Sequence, residues 1–295
     1  MPWSPTETYK HPFAWIGASL YSNRNSYTLV DMICYSGNSG SLNAWREKSL
    51  GLKPVLRQGA ALAHLLHVPH VYCFSESLVP RPKDWGPHID ICGFLFPPTE
   101  DAQTYKPDEK LIEFMCAGEP PVYIGFGSIV ISDADRFTKC ILDAVVQAKV
   151  RCLLSKGWMG LGQGDIPSNV FLIDSCPHDW LFPRCSAVVH HGGAGTTATG
   201  LRHGRPTVVV PFFGDQPFWG EIVNTMGVGP PPIPQKYLTA DLLAAAITEC
   251  FQDDIRNNAR KMGSKLRSEH SQEKAVELFH RYLPFDGQVS LRRMA

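Results

Sequence analysis

The chain has 295 residues, 44% of them hydrophobic and 19% charged, with 28 basic side chains balanced by 28 acidic ones. That length suits two domains, or one large α/β domain with an appendage, and a chain without net charge lacks the field that draws nucleic acid. Nine cysteines, an odd number scattered from Cys34 to Cys250 with no C-x-x-C pair, argue against a disulfide framework or a zinc finger and read as buried small side chains in a reducing compartment.

The opening MPWSPTETYK has neither a basic n-region nor an apolar h-region, and no apolar run approaches the roughly 18 residues of a membrane span. The expectation is a cytoplasmic protein whose contact with membranes, if any, is peripheral. Residues 1–96 hold few complete β-α units: the pattern predicts helices around Tyr27–Tyr35 and Leu42–Lys48 and short strands near Val71–Phe74 and Ile89–Gly93. Residues 97–120, with PPTEDAQTYKPDEK, are polar and proline-bearing and read as a linker ending in the first capped helix of the next unit.

From Pro121 the pattern changes. Short apolar runs (Val122–Phe126, Arg151–Ser155, Val170–Ile173, Ala187–His190, Thr207–Val210) alternate with helical stretches (Asp135–Ala148, Ala194–His203, Gln216–Met226). That alternation predicts a parallel, doubly wound nucleotide-binding sheet over a domain spanning 121–282. Within it Thr239 caps a helix that places Leu243, Ile247 and Phe251 on one face, and residues 283–295, with Arg292 and Arg293, read as a frayed tail.

The chemistry concentrates between Val188 and Gln216. A strand ending in His190-His191 turns through Gly192, Gly193 and Gly195 into a helix that opens with Thr196-Thr197, so free backbone N–H groups meet the sheet's carboxyl edge. Such a turn accepts a phosphate, with His191 as a further donor; glycine turns also serve plain helix–strand packing. No G-x-x-x-x-G-K-[ST] is present, and the spacing is not the G-x-G-x-x-G of a dinucleotide fold. Asp215 and Gln216 fall at the same sheet edge and offer acceptors and donors for sugar hydroxyls. Asp133-Ala134-Asp135 spells the D-x-D of metal-dependent sugar transfer, but its place after a glycine turn favours helix capping. His64 and His67 read as a surface pair, and His190 as structural.

HHGGAGTTATGLRHGRPTVVVPFFGDQPFWG resembles the donor-binding signature of family 1 glycosyltransferases in its sterol glucosyltransferase form. The likeness extends through PVYIGFGS, SKGWMGLG and CPHDWLFP, and upstream through PRPKDWGPHIDICGFLF to the first residues. It implies a GT-B-type α/β fold with one complete Rossmann-like C-terminal domain and part of an N-terminal acceptor-side domain. It implies metal-independent, inverting transfer of a hexose from UDP-glucose or a related UDP-sugar to a sterol 3β-hydroxyl or another lipid hydroxyl, with no cofactor.

Carried over, the resemblance puts Gly125, Gly127 and Ser128 beside the nucleotide and phosphates. Trp158 and the turn Cys176–His178 line a uracil pocket, His191 with the amides of Gly193, Ala194, Gly195 and Thr196 holds the diphosphate, and Asp215 with Gln216 holds the sugar. Trp180 and Trp219 read either as site or as packing residues. Thr199 stands where the plant branch has a ribose-binding glutamate, which leaves the ribose contacts open. In this family the catalytic base comes from the first strands of the N-terminal domain, and the resemblance aligns residue 1 after it. His11, His70 and Glu76 remain as substitutes without supporting surroundings. Two readings follow: a UDP-glycosyltransferase, or a donor-binding module completed by a separate N-terminal polypeptide.

Overall fold

The computed structural model describes residues 5–11, 22–55, 68–97, 104–130 and 133–283. Two compact units emerge, one of Met1–Leu95 with His270–Ala295 and one of Phe96–Glu269. The pair His64 and His67 and the tail residues Arg292 and Arg293 lie outside the described residues.

In the first unit a single helix α1 runs from Asn23 to Leu50, where the sequence predicts two. Its ends explain the difference: Ser22 caps the start by accepting from the Asn25 amide, and the first residue able to stop it is Gly51, in the left-handed conformation at φ 63°. Gly37 and Gly40 inside it each cost about 1 kcal/mol against alanine and do not break the helix. Strands β1 (His70–Tyr72) and β2 (Ile89–Ile91) pair in parallel. Between them Arg81 gathers the carbonyls of Trp85, Gly86 and Ile89, and the Tyr72 and Trp85 rings stack at 5.0 Å.

The second unit opens with α2 (Glu109–Cys116), capped by Asp108, and continues β3 (Val122–Gly125), α3 (Ala134–Gln147), β4 (Cys152–Ser155), β5 (Val170–Ile173), the short α4 (His178–Leu181), β6 (Ala187–His190), α5 (Ala194–Arg202), β7 (Thr207–Val209), α6 (Gln216–Thr225), α7 (Ala240–Glu249) and α8 (Asp253–Arg267). All five strands are parallel, in the order β5-β4-β3-β6-β7. The strands are nearly continuous apolar runs because helices cover both faces. Neighbouring residues sort accordingly: Ile124, Leu154, Val189 and Val208 join Ile141, Val145, Leu243 and Ile247 of α3 and α7 on one face. Tyr123, Leu153 and Val188 meet Leu111, Leu181 and Phe182 on the other. The sheet elements match their predicted bounds to within a residue or two, and Thr239 caps α7 through the Leu242 amide as predicted.

The last helix α9 (Ser271–Tyr282) differs from the sequence division, which grouped it with 121–282. It belongs to the first unit. Tyr282 donates to Asp90 Oδ2 at 2.6 Å, beside β2, and Arg281 pairs with Asp90 at 3.6 Å. Chain continuity, the only guide in the sequence, does not report this return. The capped helix expected at the end of the linker is α2 of the second unit, its Leu111 buried against Phe182 and Val188.

Candidate functional site

Two strand ends create the site. Gly125 at the end of β3 pairs with His190 at the end of β6. The chain proceeds from β3 to β4 and β5 on one side, and from β6 to β7 on the other. At such a switch point the connections diverge and leave a crevice beyond the carboxyl ends of the strands. A cleft of about 450 Å³ fills that position. Among the sequence candidates Gly125, Gly127, Ser128, Trp158, Cys176, His178, His191 and Thr196 line it. Gly193, Ala194 and Gly195 form the helix entry between His191 and Thr196, while Asp215 and Gln216 open α6 and are not among the residues lining the cleft.

The turn after β6 has the shape its glycines suggest. Gly192 sits at φ +87°, and a side chain there would meet Val209 Cγ1 at 2.6 Å and the Gln216 carbonyl oxygen at 2.9 Å. At Gly193 a methyl group would lie 2.5 Å from His191 Nε2, so a side chain would displace the histidine. No side chain caps α5, and its first backbone bond is Thr197 N–H to the Gly193 carbonyl at 2.9 Å. The amides of 194–196 therefore carry no helical bond and present partial positive charge.

Across the cleft two more turns are tied together. The Trp158 amide donates to the Gly127 carbonyl at 3.1 Å, which leaves the Trp158 side chain at the rim, 76% exposed. His178 stacks on Phe182 at 4.4 Å, and its Nε2 lies 3.3 Å from the Tyr123 hydroxyl. Burial holds the His178 pKa below its usual value and pushes the Tyr123 phenol up to about 12. His191 is part-buried, with Nδ1 shielded from solvent and without a partner among the described residues. Burial lowers its pKa, and the Asp215 carboxylate opposes that shift. His190 is wholly buried and its Nδ1 accepts from the Gly192 amide at 2.9 Å, so it fixes the turn.

Asp215 and Gln216 are partly committed to the fold. Gln216 is buried, and its Oε1 accepts from the amides of Phe212 and Phe213 at 2.7 and 3.1 Å, which shapes the loop ahead of α6. Asp215 Oδ2 accepts from Trp219 Nε1 at 2.8 Å. Trp219 is fully buried and is a packing residue; Trp180 packs edge-on to Tyr105 and under the Arg184 guanidinium. Asp133 accepts from the Arg136 amide at 3.1 Å as the cap of α3, with Asp135 in its first turn. Thr199 returns its hydroxyl to the Gly195 carbonyl.

Tyr123, Ser155, Lys156, Gly157, Ile173, Asp174 and Ser175 complete the cleft and escaped the sequence reading. A signal existed: in a parallel sheet the residues just past each strand face the ligand edge, and β4 and β5 end at Ser155 and Ile173. In the first unit His11 is buried, its ring 4.9 Å from that of Tyr27, and burial lowers its pKa to about 4. At that value it is a weak proton acceptor. Glu76 is exposed and His70 part-exposed at the start of β1.

Five histidines held toward the neutral form have a measurable consequence. His11, His178, His190, His191 and His203 all titrate below the usual 6.5 in the folded chain because burial disfavours the cation. Below about pH 6.5 the unfolded chain therefore binds more protons than the folded one, and stability falls as the pH drops. Through His11 the loss continues to about pH 4. Denaturant midpoints measured from pH 7.5 down to 4 should decline across that window, and His11→Gln should flatten the decline; a flat wild-type profile would contradict the burial.

Comparison with known proteins follows the same line. Residues 141–280 match the family described as the C-terminal domain of Erythromycin biosynthesis protein CIII-like proteins. A sterol 3-beta-glucosyltransferase of Arabidopsis thaliana is 43% identical over 285 residues, covering 96% of this chain and 44% of that protein. One of Leptosphaeria maculans is 39% identical over 298 residues, covering 96% of this chain and 20% of its own length. The chain thus spans less than half the length of these relatives. The crystal structure of the kitacinnamycin glycotransferase superposes with a TM-score of 0.69 at 21% identity, covering 89% of this chain and 67% of that one, a likeness of fold. Among the described residues no helix is long and apolar enough to cross a membrane. The fold is of the GT-B class, and over 96% of its length the chain is similar to sterol 3-beta-glucosyltransferases, of which it spans less than half.

Proposed function

We propose that this chain binds a UDP-sugar, UDP-glucose by preference, in the switch-point cleft and forms the donor side of an enzyme that glucosylates a sterol 3β-hydroxyl. The observation that carries the reading is the meeting of His191, the uncapped amides of α5 and the Gly125–Ser128 turn around one cleft. Uracil sits against Trp158, Cys176 and His178, where rings and a part-buried thiol suit a flat base. The diphosphate accepts hydrogen bonds from the amides of Gly193 to Thr196 and from His191, and the hexose lies toward Asp215 and the free Nε2 side of Gln216.

In the reaction the acceptor oxygen attacks the anomeric carbon as the bond to the β-phosphate oxygen breaks, with inversion. The leaving diphosphate gains negative charge, and preorganised amides and a histidine stabilise it without rearrangement. The attacking hydroxyl gives its proton to a base on the acceptor side. Asp133 is engaged as a helix cap, and the reading calls for no metal.

Calorimetric titration with UDP in excess EDTA tests this. Binding should be undiminished by the chelator. Binding that disappears with EDTA and returns with magnesium would overturn the metal-free donor site.

A further inference from the structure

A second cavity lies at the opposite edge of the sheet. Its walls are the loops that enter β3, β4, β6 and β7, closed by α8, so it faces the amino ends of the strands while the donor cleft faces their carboxyl ends. It measures about 670 Å³, against about 450 Å³ for the cleft. Ligands of open α/β sheets ordinarily bind at the carboxyl edge, so a large cavity here has no explanation in the fold alone.

Its charge is one-sided. Lys149, Arg151, Arg205, Arg256 and Arg260 line it, with Glu119 the single acid among its lining residues. The chain as a whole has no net charge, so this is a local concentration. Among the described residues none of these five cations is in an ion pair; the pairs involve Arg136, Lys139, Lys156, His203 and Arg281. Three are held by other means, and of these Arg260 donates to Asn257 Oδ1 at 3.1 Å. Arg151 donates to the Glu119 carbonyl at 3.0 Å and lies over the Phe114 ring. Arg205 donates to the carbonyls of Cys185 and Pro183 at 2.9 and 3.0 Å.

Those bonds leave donors unused. Arg205 Nε and Ser186 Oγ are shielded from solvent and have no hydrogen-bond partner among the described residues, and both residues line the cavity. An unpaired buried donor is costly, and five like charges gathered against a single carboxylate, Glu119, add to that cost. Burial, and then the neighbouring Arg260 and Arg267, depress the Arg205 pKa, which reflects the same crowding. An oxyanion relieves both penalties, and guanidinium groups anchored on carbonyls present their remaining N–H donors in fixed directions.

We propose that this cavity is an anion site built for a phosphate group, held by Arg205, Arg256 and Arg260 with Ser186 at its base. The phosphate can belong to an anionic phospholipid headgroup or to a soluble phosphorylated molecule; the recognition chemistry is shared.

The test is titration of the 295-residue chain with inorganic pyrophosphate, alongside His191→Ala, the double variant Arg256→Gln/Arg260→Gln and the charge-keeping Arg256→Lys/Arg260→Lys. Both arginines are exposed on α8, so the changes should leave the fold intact. The expected result is binding that survives His191→Ala, weakens at least about tenfold in the glutamine pair and only slightly in the lysine pair. Sedimentation with phosphatidylcholine vesicles, with and without phosphatidic acid, then separates the sources. Sedimentation that needs both phosphatidic acid and the arginines identifies a headgroup, and pyrophosphate binding without it identifies a soluble ligand. Absence of both kinds of binding, or binding equal in the wild type and the glutamine pair, overturns the proposal.

Discussion

Gly192→Val should destabilise the fold by about 3 kcal/mol or more, the largest effect expected of any single change in the turn after β6. The valine meets two obstacles together. At φ +87° a β-branched residue is strained, and its Cβ would sit 2.6 Å from Val209 Cγ1 and 2.9 Å from the Gln216 carbonyl oxygen. Neither neighbour gives way easily, since one belongs to a buried strand residue and the other to the backbone of α6. A thermal midpoint lower by about 6–12 °C is the readout for a domain of this size. Gly195→Ala is the control. No atom lies within 4 Å of the position its methyl would take, so stability should hold or rise slightly. Equal losses for the two variants would contradict the turn geometry.

His191→Ala should weaken UDP by about 1–3 kcal/mol, or roughly five- to 150-fold, the range for losing a hydrogen bond to a charged group. Its Nδ1 has no partner among the described residues, so the loss would register in binding more than in folding. Asp133→Ala should leave UDP affinity unchanged while costing about 0.5–2 kcal/mol of stability through its cap. Asp215 requires a gentler change, because alanine would remove the carboxylate that accepts from the buried Trp219 N–H. Asp215→Asn keeps an acceptor for Trp219 and should spare UDP while weakening UDP-glucose. Calorimetry on the three variants with both ligands checks the set; equal losses of UDP and UDP-glucose at Asp215 would take it out of the sugar site.

Much of the second unit was legible in the sequence because its signals are local. Apolar runs such as VVVP and AVVH, alternating with helical stretches, suit strands buried on both faces of a parallel sheet, and the cluster of glycines after His191 marks one particular turn. What escaped depends on distant partners. The pattern showed Asp215 and Gln216 at the right edge but could not show that Gln216 spends its Oε1 on Phe212 and Phe213, or that Trp219 is buried beneath Asp215. Tyr123 reads as one more apolar strand residue until β3 places its hydroxyl against His178. The return of α9 to β2 rests on Tyr282 and Asp90, 192 residues apart, a separation at which no periodicity speaks.

The measurement that bears most directly on the central claim is amide hydrogen exchange of the chain with and without saturating UDP-glucose. If the switch-point cleft holds the donor, protection should concentrate in three separated segments, Gly125–Ser128, Gly157–Trp158 and Gly192–Thr197, with little change at the amino ends of the strands. UDP-glucose that binds while leaving the amides of 194–196 exchanging as before would contradict the account.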